Sequence, residues 1–399
     1  PRVVVVVPVH NTPRLGVTVK TGVCVGTGKE DVKVSELRKQ FDAVLLATGC
    51  MAPASAHLSE NEGEEDQVKA IDGAEYGLDF LMELHRGAKK KVGKRVAVIG
   101  AGFTALDCAR VVRRLGAEQV TIHIRTTEKY IPVMEEEIHE VKREGIDIRG
   151  LRTPVGLVVD ASGHITGVRF VQNRLGGWRP SGRRVAIPIK GSEFLEPCDM
   201  VLVAIGQKTV NDFLDISLEL DRMGNVKIGD DGMTSVHGIF AAGDYVHGAS
   251  TVIQAIAHGR EIALDMDTWL MGRKRRRWVV KVEPVSKPMR DHADDFIPRQ
   301  PIPTESLSRR FKNFDIEVEL GMDKQCSLEE ARRCYLCYLK YEIDVDNCIF
   351  CRACIEVAPR DCIKLVAGVE IRDDGTYGAL TETRQWDKVG AIWIDNNQC

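Results

Sequence analysis

The sequence predicts an α/β protein built on parallel sheets and closed by a small α+β module rich in cysteine. Three observations carry that expectation. An apolar run, Arg95-Val96-Ala97-Val98-Ile99, leads into Gly100-Ala101-Gly102-Phe103-Thr104-Ala105 and then an amphipathic stretch through Leu115. Apolar runs ending in small-residue turns recur at 42–49, 199–206 and 238–244. Finally, eight of the 12 cysteines lie at or beyond Cys326.

With 399 residues, of which 44% are hydrophobic, the chain can build two to three domains. A formal net charge of -3 gives no electrostatic case for nucleic acid. The valines of 3–7 suit one buried strand, and no apolar run approaches the roughly 20 residues of a membrane helix. Cysteines clustered at metal-ligand spacings point to a reducing, cytoplasmic setting instead of a disulfide scaffold.

The first element to justify is 95–115. Glycines at Gly100 and Gly102 let the backbone turn and approach a pyrophosphate, which the unpaired N–H groups of the following helix can hold. G-x-G-x-x-A has little specificity alone, because a plain βαβ unit also uses glycine for a tight turn. Here the next strand, 119–124, follows at the distance a βαβ unit requires. At that strand's end a NAD enzyme usually carries an acid for the ribose hydroxyls, whereas this chain has Arg125. An arginine suits a 2′-phosphate and favours NADP; the alternative is a solvated strand-end arginine.

The runs Asp42-Ala43-Val44-Leu45-Leu46-Ala47-Thr48-Gly49 and Asp199-Met200-Val201-Leu202-Val203-Ala204-Ile205-Gly206 read as buried strands with small-residue turns. Gly238-Ile239-Phe240-Ala241-Ala242-Gly243-Asp244 is a third, followed by Gly248-Ala249-Ser250-Thr251 and a helix over 252–269. A strand ending in Gly243-Asp244 offers a carboxylate to a sugar hydroxyl. The helix start behind it offers positive potential to an anionic ring.

Prolines Pro284, Pro288, Pro298, Pro301 and Pro303 predict an extended linker before the cysteine-rich end. The basic run at 273–277 suits a solvated surface or a dock for an acidic partner. In the tail, Cys348-Ile349-Phe350-Cys351-Arg352-Ala353-Cys354, with Pro359 behind, has the spacing by which bacterial ferredoxins hold a [4Fe–4S] cluster. A zinc ribbon on Cys334-x2-Cys337 and Cys348-x2-Cys351 is the alternative, although zinc has no use for Cys354. Ala358 stands where the fourth cysteine of the standard run belongs, so a fourth ligand is expected from Cys362, the Cys334/Cys337 pair or elsewhere. A second cluster could rest on Cys334, Cys337 and Cys362. Residues 394–399 repeat the approach to Cys348, so the chain is expected to stop inside a second motif at Cys399.

Taken in order, Ala47-Thr48-Gly49, the G-x-G-x-x-A run and the Gly243-Asp244 turn resemble the flavin-dependent pyridine-nucleotide oxidoreductases of the glutamate synthase small-subunit type. That type also forms the reductase half of dihydropyrimidine dehydrogenase. The resemblance extends over about 15–270, and the tail resembles the two-cluster ferredoxin modules fused to such reductases. It implies two interleaved Rossmann-like domains: a partial FAD domain at 1–50, an NAD(P) domain at 51–206 and the rest of the FAD domain at 207–280. A linker at 281–325 and an incomplete ferredoxin-like domain at 326–399 follow. By the same resemblance, Gly100, Gly102 and Ala105 line the NAD(P) pyrophosphate and Arg125 meets the adenosine ribose or its phosphate. The family commonly has a second basic residue where Thr126 stands, which leaves NADP and NAD both open. Gly243 and Asp244 would hold the ribityl or phosphate region of FAD, and the backbone of Val252 and Ile253 would face the flavin. The family's first glycine-rich motif does not occur here, so an internal fragment is expected.

The implied activity is NAD(P)H:acceptor oxidoreductase: hydride passes to FAD, then single electrons pass through iron–sulfur clusters to a protein acceptor or partner subunit. Positioning carries such a reaction, so no catalytic acid or base is expected. One rival is a non-enzymatic electron-relay subunit. The other is a thioredoxin-reductase-like disulfide reductase, for which the nucleotide region lacks a C-x2-C.

Overall fold

The computed structural model describes residues 18–56, 58, 67–178, 184–273, 298–332, 343, 348, 351, 353–358, 362–371 and 377–394. The chain divides into two compact units, one of residues 1–172 and 189–280, the other of 173–188 and 281–399.

The first unit opens with α1 (Val34–Gln40), β1 (Val44–Leu46) and the short β2 (Ala52–Pro53). Next come β3 (Ala74–Tyr76), α2 (Gly77–His85), β4 (Arg95–Ile99), α3 (Phe103–Arg114), β5 (Gln119–His123), α4 (Glu135–Arg143) and β6 (Asp147–Arg149). β4 buries four successive residues because both faces of its sheet are covered, as the continuous apolar run required. α3 buries Ala105, Leu106, Cys108, Ala109 and Val112, the spacing of one helical face.

After β6 the chain builds an antiparallel layer from β7 (Arg152–Val159), β8 (Ile165–Trp178) and β10 (Phe194–Pro197), while β9 (Arg184–Pro188) pairs with the end of β8 in the second unit. It then returns as β11 (Met200–Val203) to the middle of a five-stranded parallel sheet ordered β3-β11-β4-β5-β6. One face of that sheet packs Val96, Val98, Val120, Ile122 and Leu202 with α2 and α3 residues such as Phe80 and Leu106. The other packs Ala97, Ile99, Val201 and Val203 on Ile165, Val168 and Phe170 of the antiparallel layer.

β12 (Gln207–Lys208) pairs antiparallel with β2, and β13 (Ile239–Ala241) pairs parallel with β1. Val34, Val44, Leu46, Phe213, Ile239, Ala241 and Tyr245 form the core there. α5 (Asp244–His247) and α6 (Val252–Met271) complete the unit. The buried strand expected at 3–7 and the basic run beyond Arg273 lie outside the described residues.

In the second unit, the linker expected at 281–325 is described only from residue 298; the chain has no helix or strand over 298–303, and local structure begins beyond it. Thr304 bridges to Glu319, Leu320 N–H donates to Pro303 O, and α7 (Leu307–Arg310) buries the side chain of Arg310. Its Nε donates to Glu305 O at 2.7 Å. Proline lacks a donor but keeps its carbonyl, so proline spacing does not exclude a folded segment accepting bonds there. α8 (Lys324–Arg332) and α9 (Ala353–Val357) follow, then an antiparallel sheet of β14 (Ile363–Ile371), β15 (Tyr377–Glu382) and β16 (Ala391–Ile394) ordered β15-β14-β16.

Candidate functional site

Two turns of the first unit present backbone in the manner a nucleotide needs. At the first, β4 ends in Gly100, whose φ of 152° and contact with β11 exclude a side chain: a Cβ there would lie 2.2 Å from Ala204 O. Gly100 N–H donates to His123 O at 3.2 Å, tying the turn to the end of β5. Gly102 is the N-cap of α3 and brings no side chain to the cap, so first-turn N–H groups remain for an anion. A Cβ at Gly102 would meet nothing within 4 Å, whereas Ala105 is fully buried and lets the helix start lie close to the sheet.

Arg125 is exposed, two residues beyond the end of β5. Its loop is held from the other side, where Leu151 N–H donates to Thr126 O (2.8 Å) and Arg152 N–H donates to Ile124 O (3.0 Å). Leu151 has a φ of 59°, left-handed backbone that a leucine adopts only at a cost.

At the second turn, Gly243 has φ 68° and ψ -146°, a conformation essentially reserved for glycine. Its N–H donates to Nδ1 of His258 at 2.9 Å. The carbonyl of Asp244 accepts the Cys50 thiol (3.2 Å) and Gly248 N–H (3.0 Å), and its carboxylate accepts the Ser250 hydroxyl. Nearby in sequence to Cys50, the Thr48 hydroxyl is buried with no hydrogen-bond partner. α6 begins behind this turn with a capping box: Thr251 Oγ1 accepts from Gln254 N–H, and Gln254 Oε1 accepts from Thr251 N–H. Val252 and Ile253 are 75% and 79% exposed, so the helix start is uncovered. An anchored carboxylate, an orphaned hydroxyl and an open helix N-terminus fit the polyol and anionic ring of a flavin nucleotide.

Three cysteines of this unit are poor candidates for thiol chemistry. Burial, helped by Asp244, pushes the Cys50 thiol up to about 11; burial, helped by Asp199, pushes Cys198 up to about 12; Cys108 is raised further by burial. None of the three offers a thiolate near neutral pH, which disfavours disulfide exchange at these positions.

In the tail, Cys348, Cys351 and Cys354 carry free thiols, with Cys354 on α9. Among the described residues no three His, Cys, Asp or Glu side chains converge as a metal site, so the three are not brought together as ligands. Cys362 is buried and disulfide-bonded. Cys334 and Cys337 lie outside the described residues.

Sequence reasoning missed His258, His123 and the roles of Cys50 and Ser250. Only the histidine at position 258, polar in a run of small and apolar residues, gave any sign.

A family described as "Pyridine nucleotide-disulphide oxidoreductase" matches residues 9–259. The chain is 34% identical over 353 residues to the "NADP(+)-dependent formate dehydrogenase subunit beta" of Moorella thermoacetica, covering 85% of this chain and 48% of that protein. It is 30% identical over 345 residues to the "NADPH-Fe(3+) oxidoreductase subunit beta" of Geobacter sulfurreducens, covering 77% and 50%. With the "Glutamate synthase [NADPH] small chain" of Escherichia coli it shares 33% identity over 267 residues, covering 64% and 56%. The chain thus spans about half the length of the curated relatives it matches.

Proposed function

Because the chain belongs to the pyridine nucleotide-disulphide oxidoreductase family, we propose that it serves in an NAD(P)H-dependent flavin oxidoreductase of the glutamate synthase small-subunit kind. The observation that carries this reading is the pair of nucleotide turns in one unit: Gly100–Ala105 opening α3, and Gly243–Asp244 before the uncovered start of α6. Bound FAD would accept hydride from the nicotinamide and release the electrons one at a time.

The chain's own residues bind and orient. Gly100 and Gly102 admit the NAD(P) pyrophosphate to the α3 N-terminus, and Arg125 pairs with the 2′-phosphate, which favours NADP. Asp244, steadied by Ser250, accepts a ribityl hydroxyl. The N–H groups of Val252 and Ile253, at the first two helical positions, favour negative charge on the reduced ring. The domain boundaries expected from the sequence are retained in this reading, with the parallel β1–β13 pair assigned to the FAD part.

The tail we assign to electron transfer through a [4Fe–4S] cluster in a ferredoxin-like module, with a protein acceptor or partner subunit beyond it. The spacing Cys348-x2-Cys351-x2-Cys354 supports that assignment. Matches to subunits of two redox enzymes that cover 85% and 77% of the chain, well beyond residue 259, add to it. Among the described residues no metal site is assembled. No described helix is long and apolar enough to cross a membrane.

Anaerobic addition of NADPH to the FAD-loaded protein tests the proposal. Loss of the oxidised flavin absorbance supports it, and an unchanged spectrum with bound FAD rules it out.

A further inference from the structure

The Gly243–Asp244 turn is fastened by a side chain fifteen residues away. Gly243 takes a conformation that costs any other residue dearly, and its N–H is satisfied by Nδ1 of His258, on the second turn of α6, at 2.9 Å. An imidazole nitrogen can accept only when it carries no proton, so this bond requires His258 neutral with its hydrogen on Nε2. His247, the last residue of α5, places its ring 4.3 Å from that of His258, at 46°. Both histidines therefore meet at the turn that the carboxylate of Asp244 leaves.

We propose that His258 is a positioning residue for the flavin site: its unprotonated Nδ1 holds the Gly243–Asp244 turn, and protonation releases it. This rests on the reading of that turn as the flavin site. Protonating Nδ1 replaces an acceptor with a second donor facing Gly243 N–H, so the bond is lost outright. Gly243 is then left without the partner that secured its left-handed backbone, and Asp244 loses its fixed approach to the ligand.

The surrounding charges set the direction of the pH response. Burial first, and then His247 from α5, hold His258 below the ordinary histidine value, while Glu261 one turn along α6 opposes them. Asp244 opens the same short helix as His247. A folded-state value below the unfolded one means that the tie is intact at and above the ordinary histidine range and is lost as pH falls below it.

The test compares FAD affinity of the wild-type protein with His258→Asn, whose amide oxygen can accept without titrating, and His258→Leu, which cannot accept. Loss of one neutral hydrogen bond corresponds to about fivefold in affinity. Wild-type affinity is expected to hold at about pH 7.5 and to fall, towards that factor, as pH drops below the ordinary histidine range. His258→Asn should stay flat and near wild type at the higher pH, and His258→Leu should be weak and flat. A wild-type slope retained in His258→Asn, or full affinity in His258→Leu, overturns the proposal. Nitrogen-15 shifts of the His258 ring in the FAD-free protein decide it independently: the Nε2–H tautomer is expected, and the Nδ1–H tautomer refutes it. If the wild-type protein takes up no FAD at any pH, the flavin reading fails, while the tautomer still shows whether His258 holds the turn.

Discussion

His123 stacks on Phe170 with ring centroids 4.5 Å apart and planes at 27°, and neither of its ring nitrogens has a hydrogen-bond partner. Phe170 in turn stacks on Phe194 at 5.9 Å, and the guanidinium of Arg152 lies over Phe194 at 4.9 Å. This column joins the end of β5, whose carbonyl anchors Gly100, to the antiparallel layer. It does so with an imidazole that is 1% exposed and must be neutral.

Burial first, and then Arg152 and Arg149, lower the His123 value to about 3. The unfolded chain binds this proton below about pH 6.5, the folded chain only near 3, so stability is present above 6.5 and is lost as pH falls. Between pH 6.5 and pH 5 the loss from this one group is about 2 kcal/mol. Urea unfolding of His123→Leu across that interval should show a fall shallower by about that amount. Equal slopes in the two proteins would show that His123 finds a proton partner.

Gly100→Ala and Gly102→Ala should separate folding from binding. The first puts a methyl 2.2 Å from Ala204 O at a φ of 152° and should destabilise the protein by about 3 kcal/mol or more. The second has open space and ordinary φ, so its melting temperature should hold while NAD(P)H affinity falls. Thermal melts set beside nucleotide titrations read both, and a normal melt for Gly100→Ala contradicts the close approach of β4 and β11.

Arg125→Asp should weaken NADPH about tenfold or more while affecting NADH less, since a charge-assisted contact contributes about 1.5–3 kcal/mol. The ratio of KM values is the measurement. An unchanged ratio removes Arg125 from the 2′-phosphate.

Iron, sulfide and zinc analysis of anaerobically purified protein, with Cys351→Ala beside it, tests the tail. Iron and sulfide in the wild type with their loss in the variant are expected. Zinc without sulfide, or full iron in Cys351→Ala, removes the electron-transfer role of this segment.

The parallel sheet was legible because β4 and β11 carry short continuous apolar runs that only a doubly covered strand needs, and β5 follows α3 at the βαβ distance; the expected helices 103–115 and 252–269 fall on α3 and α6. The antiparallel layer was not. β7 and β8 mix buried and half-buried positions and include Pro154 and Gly156, so no clean alternation marks them. Gly100, Gly102, Gly243 and Asp244 could be read locally because backbone conformation leaves a trace in residue type. His123 and His258 could not, since their roles arise from partners 47 and 15 positions distant.

The place of β11 between β3 and β4 also sets the order in which the molecule can be made. A ribosome releases β3 and β4 roughly a hundred residues before Met200–Val203, the strand that must lie between them. During that interval two apolar strand edges wait unpaired, each a template for a neighbouring nascent chain. β1 waits longer still for β13. Synthesis therefore passes through a stretch in which slow elongation would favour aggregation over closure, and a chaperone that covers strand edges would be needed most between the emergence of Ile99 and that of Val203.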